Sequence, residues 1–329
     1  MKKTNELFKI LIPVMLATTA IAAIVSSLAL CLTYTRASGN IDMKSALAIF
    51  FVTAFLIALV VPILFVIAFK DLKITRTKRD LMFGKVASAL FVISLVVFTF
   101  SDIVYMTSDV IGSSSLPVWR FFRALVSVFV MAFAVIELLP SKTNVPPFVK
   151  NLVNGAVPVY LAFSILSLYF NPTYIPEYFK ILYTVAYSIL TLFFLYDFKW
   201  RLVPTNAKAY TAISTMAFTL PVIISLSSIV GFIFRNDDLS QARITVSIFE
   251  MIFVLTLGIY ALSKVLAVKK TVEYVVVESQ KRLEKKALKA KKLQEEEDAK
   301  FEERKAALEA EKRNASTENA TKENTDATE

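Results

Sequence analysis

The sequence predicts an all-α fold, a polytopic transmembrane helical bundle of about eight spans with a charged helical tail. Hydrophobic residues make up 56% of the chain, and the mean hydropathy of +0.59 is far above that of soluble proteins. Apolar stretches of roughly 20 residues, enough for a helix to cross a bilayer, recur between clusters of charge. These stretches lack the period-two alternation of barrel strands. Because backbone groups in lipid must bond to one another, the stretches are predicted to be helices.

The first span, Ile10–Thr35, has no charged residue over 26 positions and follows Lys2, Lys3 and Lys9. A cleaved signal peptide is the alternative interpretation, because basic residues also precede such peptides. Its apolar core would be about 7–15 residues long and would end at a small-residue cleavage site. The run in this chain is longer, and no such site follows a short core. We therefore expect a permanent signal-anchor helix.

Seven more spans follow the first one. They are predicted at Ala46–Phe69, Val86–Met106, Pro117–Leu139, Leu152–Phe170, Tyr178–Tyr196, Ala209–Phe234 and Ala242–Ala267. The connectors on the predicted outer side are short. Any external ligand is therefore expected to bind within the bundle or at its rim.

Basic residues are distributed unevenly between the two sets of connectors, and this predicts the orientation. One set, together with the N-terminal segment, holds 14 lysines and arginines, and the other set holds seven. Because cytoplasmic connectors carry the excess of basic residues, we expect both termini in the cytoplasm and the protein in the plasma membrane. The net charge of +10 then reflects topology and contact with the lipid bilayer. A nucleic-acid partner is not expected, since no aromatic residue lies among the basic residues from Lys70 to Arg79 to stack on bases.

The numbers of histidines, cysteines and glycines exclude several classes of functional site. The chain has no histidine, which rules out imidazole metal ligands, a Ser–His nucleophile pair and a histidine pH switch. The single cysteine, Cys31, cannot form an intrachain disulfide and is interpreted as a small packing residue. The six glycines do not form a phosphate-binding loop. We therefore expect no metal, no cofactor and no catalytic residue.

Ionisable residues inside the predicted spans form a candidate intramembrane polar site. They are Asp102, Arg120, Arg123 and Glu250. Charged side chains are costly in lipid, so each of them is a functional hypothesis. Glu250 is predicted nearest to mid-depth, with Arg243 and Ser247 on the same helix face. All of these residues are expected in the outer half of the bundle.

Two interpretations of this site are open. In the functional one, two arginines hold an anionic ligand, or an acidic side chain carries a proton, in a pocket that opens outward. In the structural one, Asp102 or Glu250 pairs with Arg123 between helices, because pairing costs less than leaving a charge unpaired in lipid. Glu137, at the inner end of the fourth span, is interpreted as an interface residue.

The seventh span has a proline near its middle, Pro221. Proline removes one backbone hydrogen bond and crowds the carbonyl group four residues earlier, so a kink is expected. The hydroxyl residues Ser214, Ser225 and Ser228 recur at spacings compatible with the same helix face. Pro221 and these three serines are the candidate hinge or cavity wall. Structural packing is the alternative, in which hydroxyls satisfy carbonyl groups and let helices approach closely.

Composition divides the chain into three segments. Residues 1–268 form the predicted bundle, residues 269–313 a charged cytoplasmic helix, and residues 314–329 a disordered tail. The stretch 279–313 is rich in Lys, Glu, Ala and Leu and has no Gly or Pro, which favours a helix. Its weak seven-residue spacing leaves a coiled coil and a single solvated helix both open. The last segment is rich in Asn, Thr and Glu, a composition typical of disorder.

The sequence leaves three classes of function open. A receptor-like or scaffolding protein, whose tail contacts a cytoplasmic partner or a second copy of the chain, is favoured by the charged tail and the small exterior. A secondary transporter or channel for a small solute or ion, using the intramembrane acidic and hydroxyl groups, is the alternative. An intramembrane enzyme that acts on lipid is the least favoured, because neither histidine nor a paired-carboxylate motif is present.

Overall fold

The computed structural model describes residues 2–33, 46–68, 82–112, 118–139, 144–170, 177–202, 207–235 and 248–271, together with residue 288. In these ranges the chain is helical and contains no strand. The helices are α1 (Lys2–Thr33), α2 (Ala46–Ala68), α3 (Met82–Gly112), α4 (Val118–Leu138), α5 (Pro147–Phe170), α6 (Glu177–Leu202), α7 (Ala207–Arg235) and α8 (Ile248–Thr271). All eight contain a stretch long and apolar enough to cross a membrane. The predicted polytopic helical bundle is confirmed, and the chain is an integral membrane protein.

The sixth helix extends six residues past the end of its predicted span. We predicted an end at Tyr196, but α6 continues to Leu202. Asp197 and Arg201 lie one turn apart, and Arg201 donates a 2.8 Å hydrogen bond from Nε to Asp197 Oδ2. Because the two charges neutralise each other, the helix can continue past its apolar stretch without exposing an unpaired charge to lipid. Lys199 and Arg201, which we assigned to a connector, therefore lie in the last turn of α6.

The helices pack in an order that follows the chain for most of its length. Each helix from α3 to α7 contacts the next one, and the hairpin of α1 and α2 packs against α7. The position of α7 between this hairpin and α6 makes it the most buried of the described spans. Its apolar stretch is 72% buried, against 28% for α2, which turns apolar side chains such as Phe50 and Leu64 outward to lipid.

Helix α8 lies against several other helices at once. Two of its rings pack with four rings from α3, α4 and α6 in an aromatic layer. The layer consists of Phe91, Phe98, Phe133, Phe194, Phe253 and Tyr260. Phe253 of α8 stacks on Phe98 of α3 at 5.0 Å between ring centroids, and Tyr260 stacks on Phe194 of α6 at 5.7 Å. All six rings are at most 2% exposed. Stacked and edge-on rings at these distances add to the apolar area buried between the helices.

A glycine allows α8 to approach α7 closely at the predicted kink. A Cβ atom built on Gly258 would lie 3.1 Å from the Cβ of Pro221 and 3.2 Å from the carbonyl oxygen of Phe218. Both separations are shorter than ordinary van der Waals contact. Pro221 itself lies inside the continuous helix α7. A side chain at Gly258 would therefore require its neighbours on α7 to shift by a few tenths of an ångström.

The chain divides into two compact units, Met1–Glu273 and Tyr274–Glu329. The first unit contains the eight helices. Of the second unit, only residue 288 is described. The predicted coiled coil and the predicted disordered segment lie outside the described residues.

Candidate functional site: two buried polar clusters

Two clusters of polar side chains lie within the bundle, on either side of the aromatic layer. The Asp102 cluster consists of Asp102, Arg120, Arg123, Tyr160, Tyr187 and Glu250, and the Glu137 cluster of Glu137, Asp197, Arg201, Tyr210, Tyr260 and Lys264. Helices α4, α6 and α8 contribute to both. Arg123 and Glu137 are 14 residues apart on α4, and this spacing corresponds to roughly 21 Å along the helix axis.

An ion pair between α3 and α4 forms the centre of the Asp102 cluster. Arg123 donates from Nε to Asp102 Oδ2 at 2.7 Å, and its Nη2 donates to Asp102 Oδ1. Asp102 is 1% exposed and Arg123 is 3% exposed. The guanidinium carbon lies 4.7 Å from the centroid of the Phe98 ring. Two parallel hydrogen bonds and an aromatic face together satisfy a charge that lipid alone would disfavour.

Glu250 of α8 is held by a tyrosine of α6. The hydroxyl of Tyr187 donates a 2.8 Å hydrogen bond to Glu250 Oε1, and both side chains are buried. Arg123, Asp102 and Arg120 lie within electrostatic range of the Glu250 carboxyl group. Glu250 is the third residue of the described part of α8. Arg243 and Ser247, which we placed on the same helix face, lie outside the described residues.

Tyr160 of α5 brings a further hydroxyl to this cluster. Its ring packs edge-on against Phe253 at 5.7 Å, and the residue is 1% exposed. Arg123, Asp102 and Glu250 all lie within its electrostatic range. Among the described residues its hydroxyl has no hydrogen-bond partner. A buried polar group of this kind favours a site that accepts a polar ligand or a water molecule.

The structure therefore brings the four ionisable residues of the candidate site to one region of the bundle. Arg120 and Arg123 are both 3% exposed on α4, and Asp102 and Glu250 face them from α3 and α8. Of the two pairings considered from the sequence, the structure forms the one between Asp102 and Arg123. The functional role of the four residues stays a prediction.

The Glu137 cluster is a network of two acidic and two basic side chains. Glu137 accepts hydrogen bonds on both oxygens, from Arg201 Nη1 at 2.5 Å on Oε1 and from Lys264 Nζ at 2.7 Å on Oε2. The hydroxyl of Tyr260 donates to the second oxygen at 3.1 Å. Glu137, interpreted from the sequence as an interface residue, thus joins α4 to α6 and α8.

The other acidic residue of this cluster, Asp197, holds Arg201 from the same helix. Arg201 donates two hydrogen bonds to Asp197 Oδ2, at 2.8 Å from Nε and at 2.5 Å from Nη2. The hydroxyl of Tyr210 donates to Asp197 Oδ1 at 2.6 Å, which ties α7 to α6. Arg201 also lies over the Phe133 ring, with its guanidinium carbon 5.3 Å from the centroid. Two carboxylates and two cations leave the cluster without a net formal charge.

Sequence reasoning missed most of the Glu137 cluster for a specific reason. With the sixth span ended at Tyr196, Asp197 and Arg201 fell in a connector, where charged residues need no explanation. A signal was available, because an acidic and a basic residue four positions apart are typical of one helix face. It was overlooked because the apolar stretch, and not the charge spacing, determined the predicted end of the helix.

The residues of the candidate hinge on α7 differ in their contacts. Ser214 donates to the carbonyl oxygen of Tyr210 at 2.6 Å, within the same helix. Ser225 and Ser228 are buried, and the Ser225 hydroxyl has no hydrogen-bond partner among the described residues. Pro221 faces Gly258 of α8. The Ser214 bond satisfies a carbonyl group, as the packing interpretation expects. The hinge and the cavity wall stay predictions.

Neither cluster has the composition of a metal site. Within the described ranges, no group of three or more Cys, Asp or Glu residues is placed to hold a metal ion. No protein-family model, curated protein or solved structure matches the chain. The chemistry of the two clusters is therefore the basis for a functional proposal.

Proposed function

We propose that this chain is a receptor-like or scaffolding membrane protein, in which the Asp102 cluster accepts a small polar ligand and the C-terminal tail contacts a cytoplasmic partner. One observation carries the proposal. Helix α8 provides Glu250 to one cluster and Lys264 to the other, and it is the last span before the charged tail. A displacement of α8 at the ligand site would therefore be passed to the segment that precedes the tail.

The aromatic layer supports coupling in preference to passage of a solute. Its six rings pack on one another across α3, α4, α6 and α8 and are at most 2% exposed. Packed side chains with discrete arrangements can transmit a displacement between distant sites. A route for a polar solute would have to open through this layer.

The distribution of basic residues supports an orientation for this scheme. With both termini in the cytoplasm of a cell whose plasma membrane holds the protein, the Asp102 cluster lies in the outer half and the Glu137 cluster in the inner half. A ligand would then reach the bundle from outside, and the tail would meet its partner inside. The proposal assigns no catalytic step and no cofactor to the chain.

The experiment compares tail contacts in native membranes by crosslinking and mass spectrometry. Deletion of residues 278–329 should abolish crosslinks to the partner, and Glu250→Gln in the intact chain should change their yield. Glu177→Gln, which removes the same charge at the first residue of α6, is the matched control and should leave the crosslinks unchanged. Equal crosslinking in wild type and Glu250→Gln, at equal abundance, would contradict the proposal.

A secondary transporter is the second candidate, and the tyrosines around Glu250 favour it. Glu250 bonds to Tyr187, and the buried Tyr160 hydroxyl lies nearby with no partner among the described residues. Such a site could take up a small solute or ion. Solute flux in reconstituted vesicles that survives deletion of residues 278–329 but is lost in Glu250→Gln would favour this candidate.

A further inference from the structure

The two clusters differ in how deeply their ion pairs are buried among the helices. The side chains of Asp102 and Arg123 are 1% and 4% exposed. Those of Glu137, Arg201 and Lys264 are 15%, 14% and 21% exposed. A partly exposed lysine near the end of a span can extend its ammonium group to the aqueous boundary, where water hydrates it. The Glu137 cluster is therefore the one whose ion pair can separate without leaving a charge in lipid.

Within the Glu137 cluster, Arg201 is secured more firmly than Lys264. Arg201 keeps Asp197 as a partner on its own helix, and Tyr210 holds the other oxygen of Asp197. Lys264 has one ion-pair partner among the described residues, Glu137, and its ammonium nitrogen lies 4.6 Å from the Tyr260 ring centroid. If Lys264 departs, Glu137 still accepts from Arg201 and Tyr260. Every other charged group of the cluster then keeps a partner.

Lys264 can itself reach water after leaving Glu137. It lies seven residues before Thr271, the last described residue of α8, and it is the most exposed of the cluster's charged side chains. A lysine has a long flexible stem that lets its ammonium group extend toward the aqueous boundary. The bonded and the released arrangement thus both satisfy every charge, as a two-state contact requires.

We propose that the Lys264–Glu137 ion pair is a releasable latch that holds the tail-proximal end of α8 against α4, while Arg201, Asp197 and Tyr210 form the fixed anchor beside it. The latch rests on the proposed function only in that α8 leads to the tail. When it opens, the part of α8 that follows Lys264 moves away from α4, while Tyr260 still joins α8 to Glu137 and the anchor still joins α6 to α7. Lys264 and Glu137 are positioning residues in this scheme.

The test measures the distance between the ends of α4 and α8 in the full-length protein. Two spin labels are placed by cysteine substitution at the exposed positions Leu139 and Lys270, with Cys31, the chain's only cysteine, replaced by serine. Pulsed electron paramagnetic resonance in lipid nanodiscs then gives the distance distribution. Lys264→Gln should add a second population at longer distance. Lys264→Arg, which keeps the charge, should retain the wild-type distribution.

Lys269→Gln is the matched control, because it removes the same charge from the same helix outside the cluster. It should leave the distance distribution unchanged. An unchanged distribution in Lys264→Gln, or an equal change in the control, would overturn the latch. Failure of Lys264→Gln to accumulate as folded protein would also overturn it, since a releasable contact must be dispensable for folding.

Ligand and partner are absent from this measurement, so its outcome is separate from that of the proposed function. Suppose that Lys264→Gln shows a longer-distance population while Glu250→Gln leaves the tail crosslinks unchanged. This result would support the latch and contradict the receptor-like role. Altered crosslinks in Glu250→Gln with an unchanged distance distribution in Lys264→Gln would support the receptor-like role and contradict the latch.

Discussion

The Asp102 cluster and the Glu137 cluster use the same kinds of residue but differ in the redundancy of their contacts. In the first, Asp102 and Arg123 depend on each other for charge pairing within the described part of the chain. In the second, Arg201 bonds to two carboxylates, and Glu137 accepts from three donors. Removing one partner of the Asp102–Arg123 pair therefore breaks the bonds that hold a buried charge. Removing Lys264 from the Glu137 cluster leaves Glu137, Asp197 and Arg201 paired. Burial alone does not determine which intramembrane charges can move.

The largest expected effect is that of removing one partner of the Asp102–Arg123 pair. Asp102→Ala should destabilise the protein by about 3–5 kcal/mol, because it removes one partner of a buried, hydrogen-bonded ion pair. The double variant Asp102→Ala/Arg123→Met should recover much of the loss. Unfolding in detergent, followed by circular dichroism, measures both. Equal or additive destabilisation in the double variant would show that the pair is not the source of the effect.

A smaller difference is expected between two tyrosines that each donate to a carboxylate. Tyr187→Phe should cost about 1.5–3 kcal/mol, the range for hydrogen bonds to charged groups, because Tyr187 is the hydrogen-bond donor described for Glu250. Tyr210→Phe should cost less, since Asp197 keeps both bonds from Arg201. The same unfolding assay compares them. A larger loss in Tyr210→Phe would reverse the assignment of redundancy to the two clusters.

Gly258 tests whether both clusters depend on one position of α8. Gly258→Ala would bring a methyl group within 3.1 Å of Pro221 Cβ, and overpacking of this kind costs roughly 1–3 kcal/mol. Gly155→Ala is the control, because a Cβ atom there meets nothing within 4 Å. If α8 shifts as a unit, Gly258→Ala should also alter the spin-label distance from Leu139 to Lys270. Equal stability of the two variants would argue against a close crossing.

The smallest effect is expected at the proposed latch. Lys264→Gln should cost less than the other variants, because Glu137 keeps its bonds from Arg201 and Tyr260. The cost should fall further at high salt, because exposed charges are screened. Unfolding at low and high ionic strength measures this dependence. A loss as large as that of Asp102→Ala, and independent of salt, would place Lys264 in the same class as Arg123.

Much of the site could be anticipated from the sequence where a charge stands inside a clear apolar stretch. Asp102, Arg120, Arg123 and Glu250 interrupt such stretches, so their cost in lipid made them candidates. Asp197 stands at the margin of its stretch, where hydropathy alone does not tell a helix from a connector. Tyr160 and Tyr187 gave no signal, because a tyrosine within a span is ordinary, and only a neighbouring carboxyl group from another helix makes its hydroxyl notable.

The sequence by itself determined that most of the chain lies in a lipid bilayer, and how many spans it has, because the length of an apolar stretch is a local property. It also determined the helical class, because backbone groups in lipid can bond only to one another. Only the tertiary structure decided which charges meet. Glu137 and Lys264 are 127 positions apart and Tyr187 and Glu250 are 63, and whether such residues touch depends on the order in which the helices pack. That order places residues of α8 in both clusters. Neither the periodicity nor the charge spacing within a single helix can predict such contacts between helices.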